Sequence, residues 1–304
     1  MKQKIVIIMG PTAVGKTDLA LNVAKQFNGA IISADSMQVY KYLNIGTAKE
    51  SREELNLVPH YLIDFLEPTK TFNAGNFKEQ AEQVIENLSK ENILPIIAGG
   101  TGLYVKSLIY PFTFSNAKPN TEIRQKYEEL AKENGNEYVY NILKNIDEES
   151  ASKLHYNELK KVIRAIEIYE TTGKKKSQQN NENKLSEKYE PLIIILNRDR
   201  SELYNRINYR VDLMFEQGLL EEAKFLYDNK MFNKLSSEAI GYKQLIEYFE
   251  NKISLTEAKE KIKPLSRNYA KRQITFFKSF ENAIWLHPEK DKEKIIKIIK
   301  EFLS

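Results

Sequence analysis

No cysteine occurs among the 304 residues. That excludes disulfides, thiolate catalysis and cysteine-based zinc sites, and it suits a reducing compartment. Histidine is nearly as scarce: His60, His155 and His287 share no metal-ligand spacing and read as structural or surface residues. No apolar run approaches the ~20 residues that cross a bilayer. The opening Met1-Lys2-Gln3-Lys4, followed by five apolar residues, is too short for a secretory core and lacks a small-residue cleavage site. A soluble, cytoplasmic protein is expected. Neither charge sign dominates, with 46 Lys and Arg against 42 Asp and Glu, so a polyanionic partner must be met by local basic patches. Internal repeats are absent as well.

What is present begins with Gly10-Pro11-Thr12-Ala13-Val14-Gly15-Lys16-Thr17, directly after the apolar run Ile5 to Met9 and before a helical pattern. Two glycines four residues apart, then Lys and Thr, match the phosphate-loop spacing. The glycines let the backbone wrap an anion, and the helix N-terminus supplies unpaired N–H groups. Lys16 adds a point charge, and the Thr17 hydroxyl can hold Mg²⁺. The motif predicts phosphate binding. It does not by itself separate a nucleotide from another phosphorylated ligand.

Short apolar runs alternate with helical patterns through the first hundred residues, which predicts a parallel sheet with crossover helices. Leu19, Ala20, Val23, Ala24 and Phe27 form one helical stripe toward that sheet. The strand Ala30 to Ser33 leads into Asp35, just past a strand's C-terminal end, where open α/β sheets keep their sites. An N-cap role for Asp35 stands beside the functional one. His60 to Asp64 reads as a strand and Phe77 to Leu88 as helix. Leu94 to Ala98 is a further strand running into Gly99-Gly100-Thr101-Gly102, a second glycine-rich turn expected beside the phosphate loop, with the Thr101 hydroxyl in the cleft.

From residue 115 the pattern becomes helical, with helices over Thr121 to Asn134, capped by Gly135, and Glu158 to Thr172, closed by Gly173. Leu159, Val162, Ile163, Ile166 and Tyr169 make the apolar side of the latter. Lys160, Lys161 and Arg164 share another face, readable as a solvated surface or a binding face. Residues 173–190 hold Lys174-Lys175-Lys176 and then a polar tract, and read as an exposed loop. Leu192 to Leu196 is continuously apolar, as in a strand buried on both faces, so the chain returns to the sheet there. The expected fold is thus a phosphate-loop NTPase-like α/β sheet flanked by helices, residues 1–114 and 191–304, with an all-helical insertion at 115–190. The remainder to residue 304 is expected to be helical. Between Lys259 and Lys278, Lys and Arg alternate with Tyr269, Phe276 and Phe277, a mixture suited to nucleic-acid backbone and base contacts.

Taken jointly, several segments resemble the tRNA dimethylallyltransferases, the IPP transferase family. They are the phosphate loop; Ser33 to Tyr40 with Asn44 to Lys49; Gly99 to Tyr104; Val162 to Glu167; Arg206-Ile207 with Arg210 to Asp212; Ile240 to Lys243; and Ala270 to Thr275. They span nearly the whole chain. The resemblance implies transfer of a dimethylallyl group from dimethylallyl diphosphate to N6 of adenosine 37 in tRNA. Gly10, Thr12, Ala13, Val14, Gly15, Lys16, Thr17 and Arg210 would bind the diphosphate, with Mg²⁺ at Thr17. Asp35 would accept the N6 proton beside Thr101, with Lys16, Thr17 and Arg210 completing the catalytic set. The adenosine would be flipped from its loop. For tRNA contact the resemblance implies Asp35, Ser36, Met37, Gln38, Thr101, Lys160, Lys161, Arg164, Gly241, Tyr242, Lys243, Lys271, Arg272, Gln273, Thr275 and Lys278. The helical insertion would clamp the anticodon stem, and a monomer is expected.

Tyr61, Lys161, Ser266 and Phe276 depart from the family's usual His, Arg, Thr and Trp. Lys161 would lose bidentate contact, and Phe276 keeps a ring without an N–H donor. Two other readings stay open. One is a phosphate-loop kinase or a transferase acting on free adenine nucleotides, and the other a non-catalytic RNA-binding module.

Overall fold

A computed structural model describes residues 2–110, 120–178 and 185–304. The chain divides into two compact units, Met1–Ile109 with Leu185–Ser304, and Tyr110–Lys184. Residues 115–119 and 179–184 of the expected insertion and loop lie outside the described residues.

The first unit is built on six strands: β1 Gln3–Met9, β2 Gly29–Ser33, β3 His60–Tyr61, β4 Leu94–Gly99, β5 Tyr189–Leu196 and β6 Ile284–Leu286. They form one sheet in the order β3-β2-β4-β1-β5-β6, every pair parallel. Ile5 to Met9 of β1 are fully buried because helices cover both faces of the sheet. β1 lies centrally, with Val6 opposite Ile96 of β4 on one side and Leu192 of β5 on the other.

The helices of this unit flank that sheet: α1 Lys16–Gln26, α2 Arg52–Leu55, α3 Ala74–Lys90 and α4 Gly102–Ile109 come before the excursion to the second unit. Leu19, Ala20, Val23 and Ala24 of α1 are buried against β1, β2 and β4, with Phe27 packed at the edge of the same core. α3 begins at Asn73, whose side chain accepts from the N–H groups of Gly75 and Asn76 at 2.8 and 3.2 Å. Gly99 is required by close approach: a Cβ there would fall 2.2 Å from the Ala34 carbonyl oxygen, so glycine lets the ends of β2 and β4 meet.

In the second unit, α5 Thr121–Asn134, α6 Asn136–Ile146, α7 Glu148–Ser152 and α8 Leu159–Thr172 share a core of Tyr127, Val139, Leu143, Val162 and Ile166. α5 and α8 end at Gly135 and Gly173, as their sequences predict. Tyr169, expected on the apolar side, is 37% exposed, and Ala165 and Ile168 are buried instead.

After β5 come α9 Arg200–Glu216, α10 Leu219–Asp228, α11 Tyr242–Phe249, α12 Leu255–Phe277 and, beyond β6, α13 Lys292–Leu303. Two expectations are corrected here. The strand over 60–64 stops at Tyr61, because Leu62 and Asp64 turn to φ 59° and 53°, incompatible with an extended ladder. The C-terminal part is not wholly helical, since Ile284–Leu286 pairs with β5 and extends the sheet.

Candidate active site

All the strand-to-helix turns that matter open at one edge of the sheet. The first follows β1, where Gly15 at φ 103° starts α1 in a conformation that favours glycine. Two guanidinium groups hold its carbonyls: Arg198 Nε donates to Val14 O at 2.9 Å and Arg206 Nε to Ala13 O at 3.0 Å. Lys16 Nζ folds back onto Pro11 O at 2.9 Å. Burial, and secondarily the neighbouring Arg210, push the Lys16 pKa down to about 8, against the opposing pull of Asp35 and Glu50. An anion placed against this ammonium would restore its charge.

This turn opens into a cavity of about 650 Å³. Thr12, Ala13, Gly15, Lys16, Thr17 and Arg210 line it. Gly10 and Val14 do not; Gly10 packs against Leu196 of β5, and the Val14 N–H points to Pro11 O at 3.4 Å. Arg210 reaches in from α9, with NH1 3.5 Å from Thr12 Oγ1 and NH2 3.4 Å from Ala48 O. Its pKa is lowered by burial and sustained by Asp35 and Glu50. The two cations Lys16 and Arg210 therefore share one pocket with the carboxylates of Asp18, Asp35, Glu50 and Glu238.

The second turn follows β2. Asp35 Oδ1 accepts from the N–H groups of Met37 and Gln38 at 2.9 and 3.3 Å, so this residue does cap the local turn. It lines the cavity as well, together with Ser36, Met37 and Gln38. No helix follows, so the expected helix N-cap is corrected to a cap on a turn; one oxygen fixes the carboxylate, and Oδ2 carries no hydrogen bond among the described residues. Thr101 is placed differently from expectation. It does not line the cavity, and its Oγ1 accepts the Ser36 N–H at 3.0 Å, tying the turn after β4 to the turn after β2.

A third wall comes from residues 44–50. Glu222 of α10 accepts the N–H groups of Asn44, Ile45 and Gly46 at 2.8, 2.9 and 3.0 Å. Lys49 braces the same segment from within, donating to Tyr40 O and Asp64 Oδ1 at 2.6 Å. So held, the segment brings Glu50 to the phosphate loop, where Thr17 Oγ1 donates to Glu50 Oε1 at 2.9 Å. Glu50 Oε2 is buried without a hydrogen-bond partner. A hydroxyl beside a carboxylate with one oxygen unsatisfied is a donor set that suits a hard divalent cation such as Mg²⁺.

The residues expected on RNA fall into distinct surroundings. Lys271, Thr275 and Lys278 are exposed on α12, and Arg272 lines the cavity beside Tyr269. Gln273, on the inward side of the same helix, is only 6% exposed; its Oε1 accepts Thr12 N–H at 3.0 Å and its Nε2 donates to Gly100 O at 2.9 Å. Tyr242 is fully buried, its hydroxyl given to Glu222 at 2.6 Å, and it belongs to the cavity lining rather than to the outer surface. Gly241, at φ 96°, precedes it, and Lys243 is exposed and paired with Glu238. In the helical unit Lys160 and Lys161 are exposed, Lys161 paired with Glu158, while Arg164 donates to the buried Glu167 at 2.5 Å.

Glu50, Glu222 and the bridging role of Gln273 were not foreseeable from local pattern. Their partners lie 33, 176–178 and 173–261 residues away.

Comparison with known proteins identifies the lineage of this arrangement. The IPP transferase family model matches residues 38–280. The chain belongs to the IPP transferase family. Among curated members, the tRNA dimethylallyltransferase of Alkaliphilus oremlandii is 49% identical over 94% of this chain and 91% of its own. That of Thermoanaerobacter sp. is 47% identical over 100% and 98%. Of solved structures in the family, the full-length tRNA isopentenylpyrophosphate transferase of Bacillus halodurans superimposes with a TM-score of 0.74. It is 38% identical, over 99% of this chain and 97% of that one. A eukaryotic dimethylallyltransferase acting on tRNA gives 0.83 at 29% identity, covering 100% of this chain and 80% of its own.

Proposed function

We propose that this IPP transferase moves a dimethylallyl group from dimethylallyl diphosphate to N6 of adenosine 37 in the tRNA anticodon loop, releasing diphosphate. One observation carries the reading: the phosphate loop and Asp35 line one cavity, so an anionic leaving group and a proton acceptor are served within a single pocket. Ala13, Gly15, Lys16 and Arg210 hold the diphosphate. As the allylic C1–O bond breaks, charge grows on the leaving group, and these cations stabilise it more than they stabilise the substrate. Thr17 would hold Mg²⁺, which when bound would supply further neutralisation of that diphosphate. Asp35 Oδ2 orients the N6 amine and takes its proton as C1 is attacked. Thr101 acts by holding the Ser36 turn rather than by touching substrate. Gly10 and Val14 serve the loop's packing.

An exocyclic amine within a stacked loop cannot enter such a pocket, so the adenosine is extruded on binding. Lys271, Arg272, Thr275 and Lys278 on α12, with Ser36, Met37, Gln38, Gly241 and Lys243, form the RNA seat of the first unit. Lys160 and Lys161 give the helical unit a basic face for the anticodon stem. The protein acts in the cytoplasm as a monomer. No helix among the described residues is long and apolar enough to cross a membrane.

The test is incubation with Mg²⁺, labelled dimethylallyl diphosphate and either unmodified anticodon stem-loop RNA or AMP, followed by nucleoside mass analysis. Label on the stem-loop adenosine alone is expected. Label on AMP would assign a free-nucleotide transferase, and no label with RNA still bound would leave a binding module.

A further inference from the structure

Glu50 lines the cavity beside the phosphate loop, and the reaction above finds no use for it. Its Oε1 sits 2.9 Å from Thr17 Oγ1, and its Oε2 is buried with no partner. A buried acceptor left unpaired forfeits its hydration without compensation, so its retention calls for a ligand. Placing it beside a diphosphate makes matters worse, because the ligand carries the same sign of charge. Both difficulties vanish if a cation lies between them.

The spacing suits such a cation. Magnesium binds oxygen at about 2.0–2.1 Å in an octahedron, which puts adjacent ligands about 3.0 Å apart. The two oxygens of Glu50 and Thr17 already stand at 2.9 Å, the edge of that octahedron, without movement of either side chain. The segment that presents Glu50 is held by three backbone bonds to Glu222, so the carboxylate is positioned rather than free to swing. Lys16 acts on Glu50 through space and makes no ion pair with it among the described residues, its ammonium donating to Pro11 O at 2.9 Å.

We infer that Glu50 is a protein ligand of the divalent cation, completing with Thr17 a two-oxygen site that holds Mg²⁺ ready for the diphosphate. This deepens the proposed reaction and rests on it for the identity of the diphosphate substrate. It also assigns the metal a seat on the protein that exists before substrate arrives.

The experiment uses the full chain, Mn²⁺ as a paramagnetic substitute, and methylenediphosphonate as a diphosphate that cannot transfer an alkyl group. Free Mn²⁺ is followed by electron paramagnetic resonance, and diphosphonate binding by calorimetry, with Mn²⁺ and again in EDTA. Glu50→Gln keeps the size and the acceptor facing Thr17 while removing the charge. Wild type is expected to bind one Mn²⁺ in the absence of diphosphonate, and Glu50→Gln to weaken that binding at least tenfold. The variant should bind diphosphonate more tightly than wild type in EDTA, where repulsion is relieved, and more weakly with Mn²⁺. That reversal of sign is particular to a ligand. Equal Mn²⁺ affinity in the two proteins, or a shift in the same direction with and without metal, overturns the assignment and leaves Glu50 a mere counter-charge. A thermal unfolding midpoint within a degree or two of wild type controls for misfolding, and Glu50→Asp, if it recovers Mn²⁺ binding in part, supports the proposal independently. A protein that binds Mn²⁺ through Glu50 yet transfers no dimethylallyl group would keep the metal site and refute the reaction.

Discussion

Removing Glu222 should loosen the wall of the cavity that carries Glu50. The carboxylate accepts four hydrogen bonds, three from the backbone of Asn44, Ile45 and Gly46 and one, at 2.6 Å, from the buried Tyr242 hydroxyl. Hydrogen bonds to a charged acceptor contribute about 1.5–3 kcal/mol each, but the backbone donors are only partly buried and water can replace some of that. Taking about 1 kcal/mol for each backbone bond and about 2 for the phenol, Glu222→Ala should cost roughly 5 kcal/mol. Glu222→Gln keeps one oxygen but turns an NH₂ group toward backbone donors, and should cost about 2–3 kcal/mol. Tyr242→Phe loses that single phenol bond while leaving the ring in place, about 2 kcal/mol. Urea denaturation read from midpoint and slope gives these values directly. Each variant should also raise KM for dimethylallyl diphosphate in the same order, since the segment positions Glu50. Glu222→Ala within 1 kcal/mol of wild type, or Tyr242→Phe as damaging as Glu222→Ala, would refute the reasoning.

Lys16, at about 8, is depressed from 10.5, so the unfolded chain holds one more proton than the folded one between those values. Its contribution to stability therefore rises with pH across that window, and Lys16→Met should stabilise the ligand-free protein at pH 7 by about 1–3 kcal/mol. The same proton makes metal-free diphosphonate binding by wild type weaken as pH rises above 8, and a flat profile from pH 7 to 9.5 in calorimetry would count against it. Lys160→Ala with Lys161→Ala should leave the fold intact and reduce the salt slope of RNA binding by about 1–2, while an unchanged slope removes that face from the interface. Arg164→Ala differs, because it strips a partner from Glu167, whose side chain is fully buried, and should cost about 2 kcal/mol in thermal or urea unfolding. Gln273→Leu, close in volume, leaves the Thr12 N–H and the Gly100 carbonyl unpaired; about 2–4 kcal/mol of stability and a raised KM for the diphosphate are expected.

How far the sequence speaks depends on how local each cause is. β1, β2, β4 and β5 are continuous apolar runs, and the phosphate loop is a single unbroken motif, so each can be read directly. The ends of α5 and α8 are equally legible, because Gly135 and Gly173 act on their own turns. β6 escapes notice because three residues, Ile284 to Leu286, carry no period, and only pairing with β5 makes them a strand. Asp35 stands where a strand end predicts a site. Its neighbour Thr101 is legible as a partner of that turn but not in its orientation, which the Ser36 N–H decides. Tyr242 enters only as a tRNA contact implied by the resemblance, and its bond to Glu222, on another helix, is what its own sequence neighbourhood does not announce. Glu50 is hidden for the same reason: nothing adjacent in sequence announces Thr17.

The position of β1 bears on how the chain is made. Its first neighbour, β4, begins at Leu94, but its second, β5, begins at Tyr189, after the whole helical unit Tyr110–Lys184. On the ribosome, four strands in the order β3-β2-β4-β1 can assemble early, with one edge of Ile5 to Met9 left without a partner. Domains fold as units during synthesis at about 5–20 residues per second, so that edge waits several seconds for the chain beyond the helical unit to emerge. An apolar strand edge so exposed invites pairing with other chains. Slow translation through residues 110–190 would prolong the hazard, and a nascent-chain chaperone shielding β1 would shorten it.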